Sequence, residues 1–244
     1  MKKYYYDLHI HSCLSPCGDD DNTPNNIVGM AKLCGLDIIA LTDHNSCKNC
    51  PAFFDAAKKN GIIPIAGMEL TTAEDIHVVC LFENIERAIA FDDYVNNNRL
   101  KIANRPNIFG RQCVLDNEDN LLFEEEYLLI NASSISISDI KEWVESFGGV
   151  CYPAHIDKES NGIISVLGDL PTDIPFDYFE IHNSSKISEY SSKYNIPTNR
   201  FIVSSDAHYL TDFRDKENYF EFDELSSDEL VRATLFEILR KRLT

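Results

Sequence analysis

Tyr4–His11 reads Y-Y-Y-D-L-H-I-H, and the fold turns on how this stretch is read. Tyrosines and a β-branched isoleucine favour a strand. Side chains alternate faces along a strand, so Asp7, His9 and His11 are expected on one face and Leu8 and Ile10 on the other. A buried carboxylate and two buried imidazoles need partners. Imidazole is the commonest protein ligand for metals, and H-x-H on a strand presents two nitrogens side by side. Two solvated histidines on an edge strand would look the same, and the stretch alone does not choose.

The surrounding chain repeats the arrangement. After His11 comes a loop rich in turn formers, then Thr23-Pro24 as a cap and first turn of a helix ended by Gly35. Asp37–Thr42 is a continuous apolar strand running into Asp43-His44-Asn45, followed by a helix over Pro51–Asn60. Ile62–Glu69 is a strand ending in a carboxylate, and Asp75–Phe82 is another carrying His77. Ile85–Asn97 and Ser138–Phe147 read as helices. Strands then end at His155 (Val150–Ala154), at His182-Asn183 (Tyr178–Ile181) and at Asp206-Ala207-His208 (Phe201–Ser205). Ser226–Arg242 is an amphipathic helix. Asn98–Ser138 breaks the alternation and reads as an insertion, with D-N-E-D-N turning a hairpin.

Seven strands alternating with helices predict an α/β fold with parallel strands. Six of the seven histidines lie at or just beyond a strand's end, and His77 lies early in one. Groups at strand C-termini converge on one face of a barrel.

The bulk numbers bound the function. The 244 residues are 44% hydrophobic and 11% aromatic, enough for a real core. The net charge of −18 comes from 40 acidic against 22 basic residues. Such a surface repels polyphosphate backbones and anionic lipid, so long nucleic acid and membranes are not expected as partners. No leader-like apolar stretch opens the sequence, and no run nears the roughly 18 apolar residues of a span. A soluble, cytoplasmic protein is expected, with its eight cysteines reduced. Oligomeric state stays open.

The ordered motifs D-L-H-I-H, L-T-D-H-N, G-M-E-L, the lone His77, P-A-H and S-S-D-A-H resemble the PHP family, named for polymerase and histidinol phosphatase. The resemblance implies a single-domain, distorted seven-stranded (β/α)7 TIM-like barrel over residues 1–244, interrupted at about 98–138. It implies two to three divalent ions (zinc, manganese or iron) and hydrolysis of a small phosphorylated substrate by metal-activated hydroxide. By the same resemblance His9, His11, Glu69 and Asp206 would hold one ion. Glu69, His77 and His155 would hold a second, with Glu69 bridging, and His44 and His208 a third. Glu69 and Asp206 would be catalytic, and Asp7 and Asp43 would stand behind the ligands to orient them. Many relatives carry another histidine where this chain has Cys17; Cys17, Asp19 or Asp20 is expected to replace it.

Lys158, Arg105 and Arg111 are candidates to face a phosphate, and His182 is a candidate leaving-group acid or pocket wall. Cys13/Cys17 and Cys47/Cys50 are spaced to hold an accessory zinc or iron–sulfur centre, though four plain thiols are the preferred reading. Amidohydrolase-like C–N cleavage and a non-catalytic metal-binding module are the competing functions.

Overall fold

The structure, a computed structural model, describes residues 1–173 and 176–241. The chain runs β1 (Lys2–Ile10), α1 (Pro24–Leu33), β2 (Ile38–Leu41), α2 (Cys50–Asn60), β3 (Ile63–Thr71), β4 (His77–Phe82), α3 (Ile85–Asn97) and α4 (Pro106–Phe109). It continues β5 (Cys113–Leu115), β6 (Leu121–Glu124), α5 (Ile140–Ser146), β7 (Val150–Pro153), α6 (Ile163–Leu167), β8 (Phe179–Ile181), α7 (Ile187–Tyr194), β9 (Phe201–Val203), β10 (Tyr219–Phe222) and α8 (Asp228–Leu239). Thr23 caps α1 by accepting from the Asn26 amide, with Pro24 in the first turn. The predicted tail helix is α8; Arg242 lies outside the described residues.

A strand forms in each of the seven predicted segments, but the strands do not make one parallel sheet. Six strands pair in the order β10-β1-β2-β3-β4-β7 and curl into a half-barrel, while β8 and β9 pair separately in parallel. Within the larger sheet only β1–β2 and β2–β3 pair in parallel. β4 is antiparallel to both β3 and β7, and β10 is antiparallel to the start of β1. The reason is the short connection Thr72–Ile76. A parallel crossover needs about a dozen residues or more, so β4 must fold straight back. The bridge Ile10–Ala207 joins the segment after β9 to the end of β1. In the 98–138 segment, D-N-E-D-N does turn a hairpin, β5–β6.

One irregularity in β1 sets the site. Asp7 pairs with Ile39 and Ile10 with Leu41, so β1 spends one residue more than β2 over the same interval. Such a bulge reverses the face of every later side chain. Tyr4, Tyr6 and Leu8 therefore pack inside the curl with Ile38, Ala40, Ile65 and Val79, while Ile10 packs outside with Ile39 and Leu41. His9 and His11 turn inward above Leu8. Asp7 points the other way and accepts from the Ser205 amide at 3.1 Å. The expectation that Asp7 shares a face with the two histidines is thus corrected by the bulge.

Inside the curl, aromatic and aliphatic side chains form a floor beneath the histidines. α8 seals its lower end with Val231, Leu235, Phe236 and Leu239 against Tyr4 and Ile63. Phe236 is fully buried. Phe236→Ala should lower unfolding free energy by about 3–5 kcal/mol, measured by denaturant titration. A loss under about 1 kcal/mol would show that α8 does not seal the floor.

Candidate metal centre

Glu69 lies on β3 with its carboxylate inside the curl and 1% exposed. Its Oε1 is 2.9 Å from His77 Nδ1, 3.1 Å from His155 Nε2 and 3.4 Å from His9 Nε2. Its Oε2 is 3.1 Å from His44 Nδ1 and 3.4 Å from His11 Nε2. Asp206 Oδ1 lies 3.3 Å from His9 Nε2 and 3.2 Å from His11 Nε2. The His11 and His208 rings stack with centroids 4.1 Å apart. All eight predicted ligand residues thus meet in one cluster. Within it, three groups have ligand atoms mutually within 4.8 Å: His9, His11, Glu69, Asp206; His44, Glu69, His77; and His11, His44, His208.

Strand direction explains His77, which looked misplaced at the start of its strand. Because β4 runs backwards, its first residue sits at the same end as the last residues of β1, β2 and β3, opposite Thr71. His155 and Asp206 follow β7 and β9 with φ of 28° and 53°. Left-handed backbone at non-glycine residues is strained and gathers at functional sites.

The charges balance against burial. Burial favours a neutral Glu69, but His77, His9 and His44 hold its carboxyl well below the usual range. Asp206 is likewise held far down by His9 and His11 despite burial. Burial disfavours a charged His11, yet Asp206 and Glu69 raise it to about 9; Cys17 and Glu69 do the same for His44, also to about 9. Burial and the neighbouring His11 push His208 down to about 3.

Other groups hold the ligands from behind. The Glu180 carboxylate accepts from His9 Nδ1 at 2.8 Å and from the His155 amide at 2.9 Å. Asp43 accepts from the Ser15 hydroxyl at 2.7 Å, and Ser15 Oγ is 2.8 Å from His11 Nδ1. With Nδ1 of His9 turned to Glu180 and Nδ1 of His11 to Ser15, loss of a proton leaves the Nε2 lone pairs of both rings facing each other at 3.1 Å. Asp206 Oδ1 and His155 Nδ1 are buried with no hydrogen-bond partner among the described residues. Lone pairs converging this closely suit cations, and the imidazole–carboxylate set suits zinc, manganese or iron.

Asp43 reaches His11 through Ser15, while Asp7 accepts from the His9 and Ser205 amides and meets no imidazole among the described residues. The carboxylate against His9 Nδ1 is Glu180, which the sequence reading missed. The available signal was a carboxylate within the apolar strand Y-F-E-I.

Lys158 Nζ bonds Asp206 Oδ2 at 2.6 Å on the rim of a cavity of about 250 Å³ lined also by His44, His77, His155 and His208. Arg105 and Arg111 do not join the cluster. Arg111 pairs with Glu124 on the hairpin at 2.8 Å, and Arg105 lies over Phe109. Asp19 turns its carboxylate to the Asp21 amide, and Asp20 lines a separate pocket with Arg111 and Cys13. Cys17, by contrast, places Sγ 3.2 Å from His44 Nε2. His182 is gripped by Arg214, which donates to its carbonyl at 2.8 Å and lies against its ring. A larger cavity of about 470 Å³, beside Gly149 and Leu239, contains no histidine.

The cysteine centre does not form among the described residues. Cys13 packs against Cys113, Cys17 faces His44, and Cys47 points to the Gly67 carbonyl at 3.1 Å. All eight cysteines are free thiols. Among the described residues no helix is long and apolar enough to cross a membrane.

Two outcomes follow from this geometry. Glu180→Gln should weaken metal binding about 10–100-fold with the fold retained, read by chelator competition and circular dichroism; unchanged affinity would sink the orienting role. Thiol titration under denaturing, non-reducing conditions should count eight, and a count near four would refute the free-thiol assignment.

The comparisons can now be set beside this site. The PHP domain family model matches residues 7–171, more than half the chain. The PolC-type DNA polymerase III of Thermotoga petrophila is 35% identical over 91 residues, which is 37% of this chain and 6% of that protein. The chain therefore spans only a small fraction of its polymerase relatives. The lesion-specific endonuclease Q of Pyrococcus furiosus superposes with a TM-score of 0.62 at 18% identity, over 97% of this chain and 56% of that one. A metal-dependent phosphoesterase assignment from Bifidobacterium adolescentis gives 0.56 at 16% identity, over 95% and 96%. At these identities the likeness shows the fold.

One expectation falls here. Endonuclease Q has also been solved with a 27-mer duplex carrying an abasic lesion at its active site, so a protein that contains this fold acts on long nucleic acid. Net charge of −18 was a poor guide, because a phosphate meets the local field of a site and its ions rather than the whole-protein sum. The expectation of a hydrolase acting on ester bonds agrees with these neighbours. With the family model matched over residues 7–171 and its motif residues gathered in one cluster, the chain belongs to the PHP domain family.

Proposed function

We propose that the chain is a metal-dependent phosphoesterase. The observation that carries this reading is the Glu69 carboxylate, which meets imidazoles with both oxygens: His77, His155 and His9 at Oε1, His44 and His11 at Oε2. His9, His11, Glu69 and Asp206 would hold one ion. Glu69, His77 and His155 would hold a second, and His44 with His208 a third. Divalent ions bound there would lower the pKa of a water and polarise a phosphoryl oxygen.

The chain's own residues supply the rest. Glu69 would be shared between two ions. Glu180 and the Asp43–Ser15 pair keep the imidazoles of His9 and His11 in their ligating tautomers. Lys158 offers a half-exposed ammonium beside Asp206, which favours an anionic substrate over the neutral amide of a C–N hydrolase. Burial, Lys158 and Arg214 lower the pKa of His182, which disfavours the imidazolium that a leaving-group acid needs. We therefore do not assign leaving-group protonation to His182, whose carbonyl and ring are held by Arg214.

The test is chelator-stripped protein reconstituted with zinc, manganese or iron and assayed on phosphomonoesters, phosphodiesters, intact and abasic DNA duplexes, and amides. Turnover of a phosphoester class is expected only with metal. Glu69→Gln should lose at least about 100-fold in rate together with bound metal, more than outer groups typically cost. His182→Ala should keep its metal and most of its rate. No phosphoester turnover with any metal, or full activity in Glu69→Gln, would end the proposal.

A further inference from the structure

The cavity of about 470 Å³ beside Gly149 opens at the start of β7, the end away from His155. Its size falls within the roughly 300–1,000 Å³ of small-molecule sites. Three basic side chains line it: Arg87 from α3, Lys141 from α5 and Arg240 just past α8. In a chain of net charge −18 such a gathering needs a reason. Lys141 is matched by Asp177 at 2.6 Å and Glu145 at 3.8 Å.

The two arginines are held differently. Arg87 Nη1 donates to the Gly148 carbonyl at 3.2 Å, and Arg240 Nη2 donates to the same oxygen at 2.9 Å. Two exposed guanidinium groups therefore meet at one neutral acceptor. Glu83 reaches Arg240 at 3.5 Å, but Arg87 pairs with no carboxylate among the described residues. Arg87 also stands in the first turn of α3, the positive end of the helix, where a cation is disfavoured. Gly148 permits the approach: its φ is 74°, and a Cβ there would collide with the Arg87 guanidinium. Like charges brought together this way repel, and an anion between them relieves the repulsion. Arg87 gives one of its five N–H donors to a described partner, which leaves most of its fork open.

We propose that this cavity binds a small phosphate-bearing molecule, with its phosphate held between Arg87 and Arg240. A tetrahedral dianion can meet two guanidinium forks arriving from different directions, whereas a planar carboxylate is filled by one. Tyr178 and Leu239 offer a largely apolar wall for the rest of the molecule. The site requires no metal ion and shares no residue with the metal centre, so it stands or falls independently of the phosphoesterase reading.

Calorimetric titration of the full chain in excess chelator tests this, because phosphate then has no ions to occupy. Inorganic phosphate should bind at one equivalent. Phenyl phosphate should bind more tightly, since its ring covers Tyr178 and Leu239, and benzoate at least about tenfold more weakly than phenyl phosphate. Arg87→Gln and Arg240→Gln should each weaken phenyl phosphate at least about tenfold, as loss of a charged hydrogen-bond donor does, with circular dichroism unchanged. Arg87→Lys keeps the charge without the fork and should bind more weakly than the parent. Lys158→Ala, altered in the metal cavity, should bind as the parent does. Weakened binding in Lys158→Ala, with parent-like binding in the arginine variants, would place the phosphate in the metal cavity and overturn the proposal. No binding of phosphate or phenyl phosphate by the folded parent would overturn it too, as would benzoate binding as tightly as phenyl phosphate.

Discussion

A single buried carboxylate organises the top of this fold. Glu69 is 1% exposed and lies within 3.4 Å of nitrogens from His9, His11, His44, His77 and His155. An isolated ionised carboxylate could not be buried so deeply, because losing its hydration costs far more than one neutral contact returns. Glu69 stays ionised because imidazoles from four strand ends surround it. Those strand ends must therefore converge, and the curl of the sheet is the backbone's way of bringing them there. The apolar floor of Tyr4, Tyr6, Leu8 and Tyr152, sealed by α8, lets that convergence happen without water entering from below.

The outer ring of polar groups shows the same economy. Glu180 serves His9 and the His155 amide at once, and Asp43 serves Ser12 and Ser15. Each ties two elements far apart in sequence to one point. Orientation of a ligand's second nitrogen fixes which lone pair faces the metal, and ligands so held need little rearrangement when an ion binds. Backbone strain at His155 and Asp206 belongs to the same scheme, since these residues must turn inward just past a strand end.

Charge has to be judged at the scale of the site. The chain's acidity argues against polyanions only where its field reaches them unscreened, and the Debye length is about 8 Å at physiological salt. Inside the cavity the near groups are imidazoles, Lys158 and the carboxylates of Glu69 and Asp206, and any bound ions would add local positive charge. A fold-mate that accommodates duplex DNA makes the point concretely.

Most of the donor set was legible in the sequence. D-L-H-I-H, L-T-D-H-N, G-M-E-L, P-A-H and S-S-D-A-H place donors at strand ends, and local spacing is enough to find such donors because strand and turn preferences act over a few residues. The direction of β4 was also within reach, since Thr72–Ile76 is too short for a crossover. The face of Asp7 was not, because a bulge depends on how β1 pairs with β2 and no local pattern announces it. Nor was the partnership of His9 with Glu180, which lie 171 residues apart. Nor was the nearness of Cys17 to His44, or the distance of Arg105 and Arg111 from the cluster. The sequence by itself determined which chemical groups exist and at which end of each strand they sit. Only the tertiary structure decided which share an ion, which stand behind and which are left outside, because those relations depend on closure between segments that no local preference encodes.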